Sequence, residues 1–293
     1  MSQNYYSAMK VLVIGGSRFV GPLVIKNLLK NGHSISVFNR GTIQTKYPKG
    51  VTFIKGDRDK GFGEIKEKFD AVIDMCAYSG KQTEKALNEL KFDYFLNFGT
   101  VACYEKTEIF PITEDYKVGI WPGWGDYNKG KAECEKVLAK SGKKYASIRP
   151  VYIMGPKNYC DRENFIYSRI KNGKPLTLPV NGQGVAQFVF VGEVAKIITR
   201  LTEKKIVGIF NVCGDQMISI NGLVQEMGKI VGKKPIVKYD PDNTGDNFKE
   251  DEFPFDNDTI IEDNSRIKKL GFKFIPLIKG LKRDYEAYYK KTI

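Results

Sequence analysis

The chain has 293 residues, 42% hydrophobic and 12% aromatic, which is enough apolar material for one large domain or two intertwined ones and excludes a wholly disordered chain. No run approaches the roughly 18 consecutive apolar residues of a membrane helix, and residues 1–9 (MSQNYYSAM) lack the charged start and apolar centre of a secretory signal, so a soluble, cytoplasmic protein with no membrane partner is expected. The formal charge of +13 is uneven: residues 240–258 hold eight acids and one lysine, or −7, leaving +20 for a remainder whose lysines are dispersed as on a solvated surface, with phosphate-bearing partners as the alternative reading.

In chain order, VLVI (11–14), SISVF (34–38), VTFI (51–54), AVID (71–74), YFLNF (94–98) and YASIR (145–149) read as buried strands. Between them FVGPLVIKNLLKNG, EIKEKF, KQTEKALNEL and NKGKAECEKVLAKSG have helical spacing with polar faces. Strand and helix alternating on this scale predict an α/β fold with a doubly wound parallel sheet. After Pro150 the pattern predicts a helix over 162–172, a strand pair at TLPV and AQFVFV, a helix over 192–203, a strand at GIFNV, a helix over 219–231 and a terminal helix after Pro276. Residues 240–258 are expected to form a solvated acidic loop, with shielding of a site as the alternative. His33 is expected to pack at a helix-to-strand turn, and Cys76, Cys103, Cys134, Cys160 and Cys213, without CxxC spacing, read as structural thiols in a reducing compartment, with no metal cluster.

The first strand runs into VLVIGGSRFVG (11–21). Gly15 permits a tight turn, Gly21 permits close packing of the next helix on the strand, and a helix beginning near Phe19 offers its N–H groups to a pyrophosphate. The middle position of such a fingerprint is Arg18, whose backbone N–H remains available and whose guanidinium can pair with phosphate oxygens. A ligand-free strand-to-helix turn is the plainer reading of the loop alone. At the end of the second strand stand Asn39 and Arg40, and a cation there suits the 2′-phosphate of NADP. Asp57, in GDRD after the third strand, is placed either to meet an adenine amino group or to cap a helix.

Downstream, Thr100 ends the fifth strand, and GDYNKGK sets Tyr127 and Lys131 at i and i+4 on one helical face. An ammonium beneath a phenol stabilises the phenolate, which can take a proton from an alcohol as hydride leaves for nicotinamide, while a threonine hydroxyl holds the same oxygen. Alone, YxxxK describes many exposed helices; the order of glycine loop, strand-five hydroxyl and YxxxK is far more specific. GIWPGWGDY holds both tryptophans just before Tyr127, where they either line a pocket or pack a loop.

GGSRFVG, VFNRG, GDRD, AVIDMCAY, the segment Thr100–Tyr104, YNKGK, IRPVYIMGP and FNVCG make the chain similar, over nearly its whole length, to the extended short-chain dehydrogenase/reductases, often called NAD-dependent epimerase/dehydratases. The resemblance implies a Rossmann domain over 9–154 with returning segments near 186–213, and a smaller α/β substrate domain from 155–185 and 214–293. It implies a catalytic set of Thr100, Tyr127 and Lys131, and NAD(P) contacts from Gly15, Ser17, Arg18, Phe19, Gly21, Asn39, Arg40, Asp57 and Cys76 together with Tyr127 and Lys131, NADP being slightly preferred. Trp124 and Asn158 are expected to meet a small-molecule substrate such as a sugar nucleotide, and a homodimer through helices flanking the sheet is expected.

The resemblance has departures. The arginine loop, FPFDND and GLKRDYEAYY look closest to a subgroup that includes chloroplast stem-loop RNA-binding proteins, which makes RNA the alternative partner, with the dinucleotide structural or absent. Where nucleotide-sugar epimerases place an arginine before FVFV, this chain has Ala186 and Gln187, leaving Lys157 or Arg162 as substitute cations. Val101 and Ala102 stand where dehydratases carry an acidic pair, so an epimerase or reductase is expected in preference to a dehydratase.

Overall fold

A computed structural model describes residues 7–244 and 248–293. Its main strands and helices, in chain order, are β1 (Lys10–Ile14), α1 (Val20–Lys30), β2 (Ser34–Asn39), β3 (Val51–Lys55), β4 (Ala71–Asp74), α2 (Gly80–Glu89), β5 (Phe95–Phe98), α3 (Gly125–Lys140) and β6 (Tyr145–Pro150). They continue as β7 (Tyr152–Met154), α4 (Arg162–Lys171), β8 (Leu176–Pro179), β9 (Val185–Phe190), α5 (Val191–Glu203), β10 (Gly208–Val212), β11 (Met217–Ser219), α6 (Ile220–Val231), β12 (Val237–Asp240), α7 (Ser265–Lys269) and α8 (Leu277–Asp284).

Seven strands form one parallel sheet in the order β10-β6-β5-β4-β1-β2-β3. Alternate residues of β1 go to opposite faces: Val11 and Val13 pack with Val24, Leu28 and Ile198, whereas Leu12 and Ile14 pack with Ala86, Leu87 and Leu138. Both faces are therefore covered, and the strands read as apolar runs for that reason. The order in which the chain adds strands reverses between β1 and β4, and in such sheets the crevice beyond the strand ends at the reversal is where ligands bind.

A separate apolar cluster gathers Met154, Ile166, Leu178, Phe188, Leu223, Met227, Phe253, Phe255 and Leu281 beside the sheet's C-terminal ends. Here the expected strand pair is corrected: β8 pairs with β12, and β9 lies between β7 and β11. The expected helix at EIKEKF is absent; Lys68–Phe69 instead pairs with Lys91–Phe92. Ile65 and Phe69 are both buried, which mimics helical spacing, but six residues after Gly63 are too few to offset helix nucleation. The acidic segment is also corrected. Its residues 245–247 lie outside the described chain, but Asn243, Phe253 and Phe255 are fully buried and Asp256 nearly so, so the apolar residues between the acids draw it into the fold. His33 packs as expected, its Nδ1 accepting from Met9 N at 3.2 Å and its Nε2 lying 3.1 Å from Glu203. Among the described residues no helix is long and apolar enough to cross a membrane.

Candidate active site

The glycine loop turns at two left-handed residues, Gly15 (φ 85°) and Gly16 (φ 74°). A Cβ at Gly21 would fall 2.4 Å from the Gly16 Cα and carbonyl oxygen, so α1 starts in direct contact with the loop. Gly16 is the residue that the three-glycine pattern passed over. Phe19, at the helix start, carries φ 49°, while Arg18 has no positive φ and so does not require glycine for its backbone. The Arg18 side chain is exposed, with its guanidinium 5.9 Å from the Tyr159 ring centroid.

Ser17 lies 3.2 Å from the Tyr47 hydroxyl, and its carbonyl accepts from Thr45 Oγ1 at 3.3 Å, so residues 41–47 strap this loop. Asn39 completes the strap: its Nδ2 donates to Gly15 O (3.3 Å) and Tyr47 Oη (2.9 Å), and its Oδ1 accepts from Gly41 N (2.9 Å). Arg40 is exposed at the cavity edge. Asp57 lines the cavity and accepts from Asp59 N at 3.0 Å, shaping a turn and not a helix cap.

Next to it, Arg58 grips the buried Asp74 in a bidentate pair of 2.7 and 2.8 Å and donates to Gln82 O at 3.0 Å. The sequence reading missed Arg58; an arginine after β3 and an aspartate ending an apolar strand are the two halves of its signal, since buried opposite charges must meet. Cys76 lines the cavity 3.4 Å from Arg58 Nη1, and burial, then Asp74, pushes its thiol up.

Thr100 follows β5, and its Oγ1 accepts from Ala102 N at 3.2 Å. On α3, Tyr127 is 46% exposed and Lys131 buried, with Nζ donating to Phe98 O at 3.3 Å and lying 5.8 Å from the Tyr127 ring centroid. The helix is anchored from behind. Glu135 pairs with Arg149 at 2.8 Å and accepts from Ser147, which in turn accepts from Asn97 at 2.9 Å. Asn128 accepts from Trp121 N at 2.9 Å and donates to Ala102 O and Gly119 O, tying the tryptophan loop and the Thr100 segment to the same helix. Tyr78, also missed from sequence, has its ring centroid 6.3 Å from that of Tyr127.

The glycine loop, Asn39, Arg40, Asp57, Cys76, Thr100, Trp124, Tyr127, Lys131 and Asn158 all line one cavity of about 990 Å³. Trp124 stacks on the buried Trp121 at 5.5 Å. Asn158 sits at the wall, but its side chain bonds Ile153 O, Glu163 and Cys160 N and so holds the loop after β7. Among the described residues contributed beyond β6 to the lining, Arg162 is the cation; it is bonded to Pro254 O at 3.2 Å and Glu250 at 3.4 Å. Lys157 is exposed outside this lining. Asp256 closes the same end, its carboxyl raised by burial and by Asp258.

A parallel sheet with this strand order, a glycine turn that admits no side chain at Gly21, and a long cleft running from that turn to a Tyr-Lys pair fit a dinucleotide. The sequence matches the NAD dependent epimerase/dehydratase family over residues 11–213, and the chain belongs to that family, making it an enzyme of oxidoreductase or isomerase type. Its relatives include the chloroplast stem-loop binding protein of 41 kDa b of Arabidopsis thaliana, 31% identical over 95% of this chain and 79% of that protein. UDP-glucose 4-epimerase of Lactobacillus helveticus is 29% identical over 50% of this chain and 52% of that one. Among solved structures, the UDP-glucuronic acid 4-epimerase of Bacillus cereus in complex with UDP-glucuronic acid and NAD superposes with a TM-score of 0.78 at 18% identity, covering 97% of this chain and 100% of that one.

Proposed function

We propose that this chain uses NAD(P) to oxidise and reduce a secondary alcohol of a sugar or sugar nucleotide, as an epimerase or simple reductase. The observation that carries the reading is the set of Thr100, Tyr127 and Lys131 in the same cleft as the glycine turn, with the ammonium 5.8 Å from the Tyr127 ring. A nicotinamide bound in this cleft would supply the hydride acceptor or donor. Tyr127 takes the alcohol proton and returns it, and Lys131, fixed on Phe98 O, stabilises the phenolate. Thr100 accepts from Ala102 N, which leaves its own hydrogen to donate to the substrate oxygen.

At the other end of the cleft Arg18 and Arg40 are two exposed cations, which favours the 2′-phosphate of NADP. At the substrate end Arg162 is the side chain to take a phosphate, exchanging Glu250 for it. Val101 and Ala102 offer no acid-base group, which favours epimerase or reductase chemistry over dehydration.

Titration with NADPH, NADH and their oxidised forms, read for the reduced forms by energy transfer from the tryptophans and for the oxidised forms by calorimetry, tests the cofactor. Binding weakened by Arg40→Ala for NADP(H) but not NAD(H) is the expected result; binding of no form overturns the reading. With UDP-glucose, UDP-N-acetylglucosamine and UDP-glucuronic acid as probes, Tyr127→Phe is expected to remove turnover.

The 31% identity to a stem-loop binding protein supports a second reading, that the same fold binds RNA. Such binding gains from counterion release and must weaken steeply with salt. A gel shift with stem-loop RNA that is absent at low salt would reject it.

A further inference from the structure

Tyr78 stands at the end of the β4 strand connection and at the start of α2, where its N–H donates to Gln82 Oε1 at 2.8 Å. Its carbonyl is the surface on which α3 docks: a Cβ at Gly130 would come within 2.0 Å of Tyr78 O. Gly130 lies between Tyr127 and Lys131 in sequence, so the helix carrying both is registered against the Tyr78 backbone. The side chain then meets Lys131 directly. Lys131 Nζ is 4.9 Å from the Tyr78 ring centroid, closer than its 5.8 Å from the Tyr127 ring. At those distances an ammonium is attracted to the negative face of an aromatic ring.

Among the described residues Lys131 has one hydrogen-bond acceptor, Phe98 O at 3.3 Å, to set the direction of three N–H groups. A single bond at that distance fixes the direction of the ammonium only weakly. An aromatic face on a second side adds a restraint without competing for a proton.

We propose that Tyr78 is a positioning residue for Lys131, its ring face holding the ammonium between Phe98 O and Tyr127 so that the remaining N–H groups are presented to the cleft. The role lies in the aromatic face and not in the hydroxyl. The inference rests on the reading of Lys131 as the cofactor-binding and phenolate-stabilising residue, and it adds a fourth side chain to Thr100, Tyr127 and Lys131. No feature of a YxxxK pattern points to it, because Tyr78 comes from a different strand connection.

The test pairs Tyr78→Leu, which removes the face, with Tyr78→Phe, which restores it without the hydroxyl. Tyr78 is 54% exposed, so truncation opens no core cavity; should the leucine variant melt early, Tyr78→Gln asks the same question. In protein labelled with [ε-¹³C]lysine, with the Lys131 signal assigned by Lys131→Arg, the ring face is expected to shift the Lys131 ε protons upfield. That shift should persist in Tyr78→Phe and collapse in Tyr78→Leu. NADH and NADPH affinity should fall roughly two- to fivefold in Tyr78→Leu and recover in Tyr78→Phe. A Tyr78→Leu protein with an unmoved Lys131 signal and unchanged affinity overturns the proposal, as does a phenylalanine variant as impaired as the leucine one. If the parent protein binds neither cofactor, the functional reading beneath fails, while the Lys131 signal still decides whether the ring holds the ammonium.

Discussion

At the scale of single residues, two buried carboxyls show how the environment sets a role. Asp74 is fully buried and answered by the two nitrogens of Arg58, beneath the cofactor end of the cleft. Removing one partner of such a pair strands a charge, so Arg58→Met is expected to cost about 3–5 kcal/mol of stability. Chemical denaturation measures this, and the double variant Arg58→Met, Asp74→Asn should recover a large part of it. Glu262 is the opposite case: 2% exposed, with no hydrogen-bond partner to either oxygen among the described residues, and its carboxyl is pushed up by burial to about 8 from an ordinary 4.5. The folded chain keeps a proton that the unfolded chain releases, so this stability is complete below about pH 4.5 and is lost as pH rises through about 8. The Glu262 backbone N–H donates to Gln187 Oε1 at 2.7 Å, and Gln187 lines the cleft. Glu262→Gln is expected to flatten the fall of melting temperature between pH 5 and pH 8.5, with the variant the more stable of the two at the alkaline end; parallel slopes would reject this account.

At the scale of elements, α3 carries the proposed Tyr127 and Lys131 pair, and its register depends on Gly130. Alanine is the better helix former by about 1 kcal/mol, yet a Cβ there would sit 2.0 Å from Tyr78 O, a backbone atom that has nowhere to go. Gly130→Ala is therefore expected to destabilise the fold by about 1–3 kcal/mol and to lower kcat by moving Tyr127 and Lys131 together, measured by melting and by turnover on whichever probe is active. The placement of Gly15, Gly21, Thr100, Tyr127 and Lys131 was legible because each belongs to a short pattern tied to a local geometry: a turn, a close approach, a strand end, or i to i+4 on one face. The central strands were legible for the same reason, as continuous apolar runs. Gly130, Arg58, Tyr78 and Glu262 were not, since each acts on a residue from another connection and only burial or contact reveals it. EIKEKF misled because Ile65 and Phe69 face inward at helical spacing while the segment runs through a turn into a two-residue strand. Asn39 and Asn158 were placed at the right cleft, but their side chains hold loops.

At the scale of the whole molecule, the acidic segment joins the parts that form the cleft. Counting charges made it a solvated loop, and the buried Phe253 and Phe255 between those charges show why counting was not enough. Farther along, Asp258 accepts from Trp121 Nε1 at 2.8 Å and lies 3.7 Å from Lys106 Nζ, both from the connection between β5 and α3. Trp121 is nearly buried and stacks on Trp124, which faces the cleft immediately before α3. One carboxylate thus couples the segment that closes the proposed substrate end to the loop that leads into the Tyr-Lys helix. Asp258→Ala leaves the indole N–H without its acceptor, a loss of about 1–3 kcal/mol, and frees the tryptophan pair to move. The expected outcome is a lower melting temperature, a changed tryptophan emission maximum, and weaker binding of sugar-nucleotide probes. NADPH affinity should stay near the parent value, because the glycine loop and Arg40 are built from β1, β2 and α1. Equal losses for cofactor and sugar nucleotide would mean that Asp258 supports the whole cleft and not its substrate end.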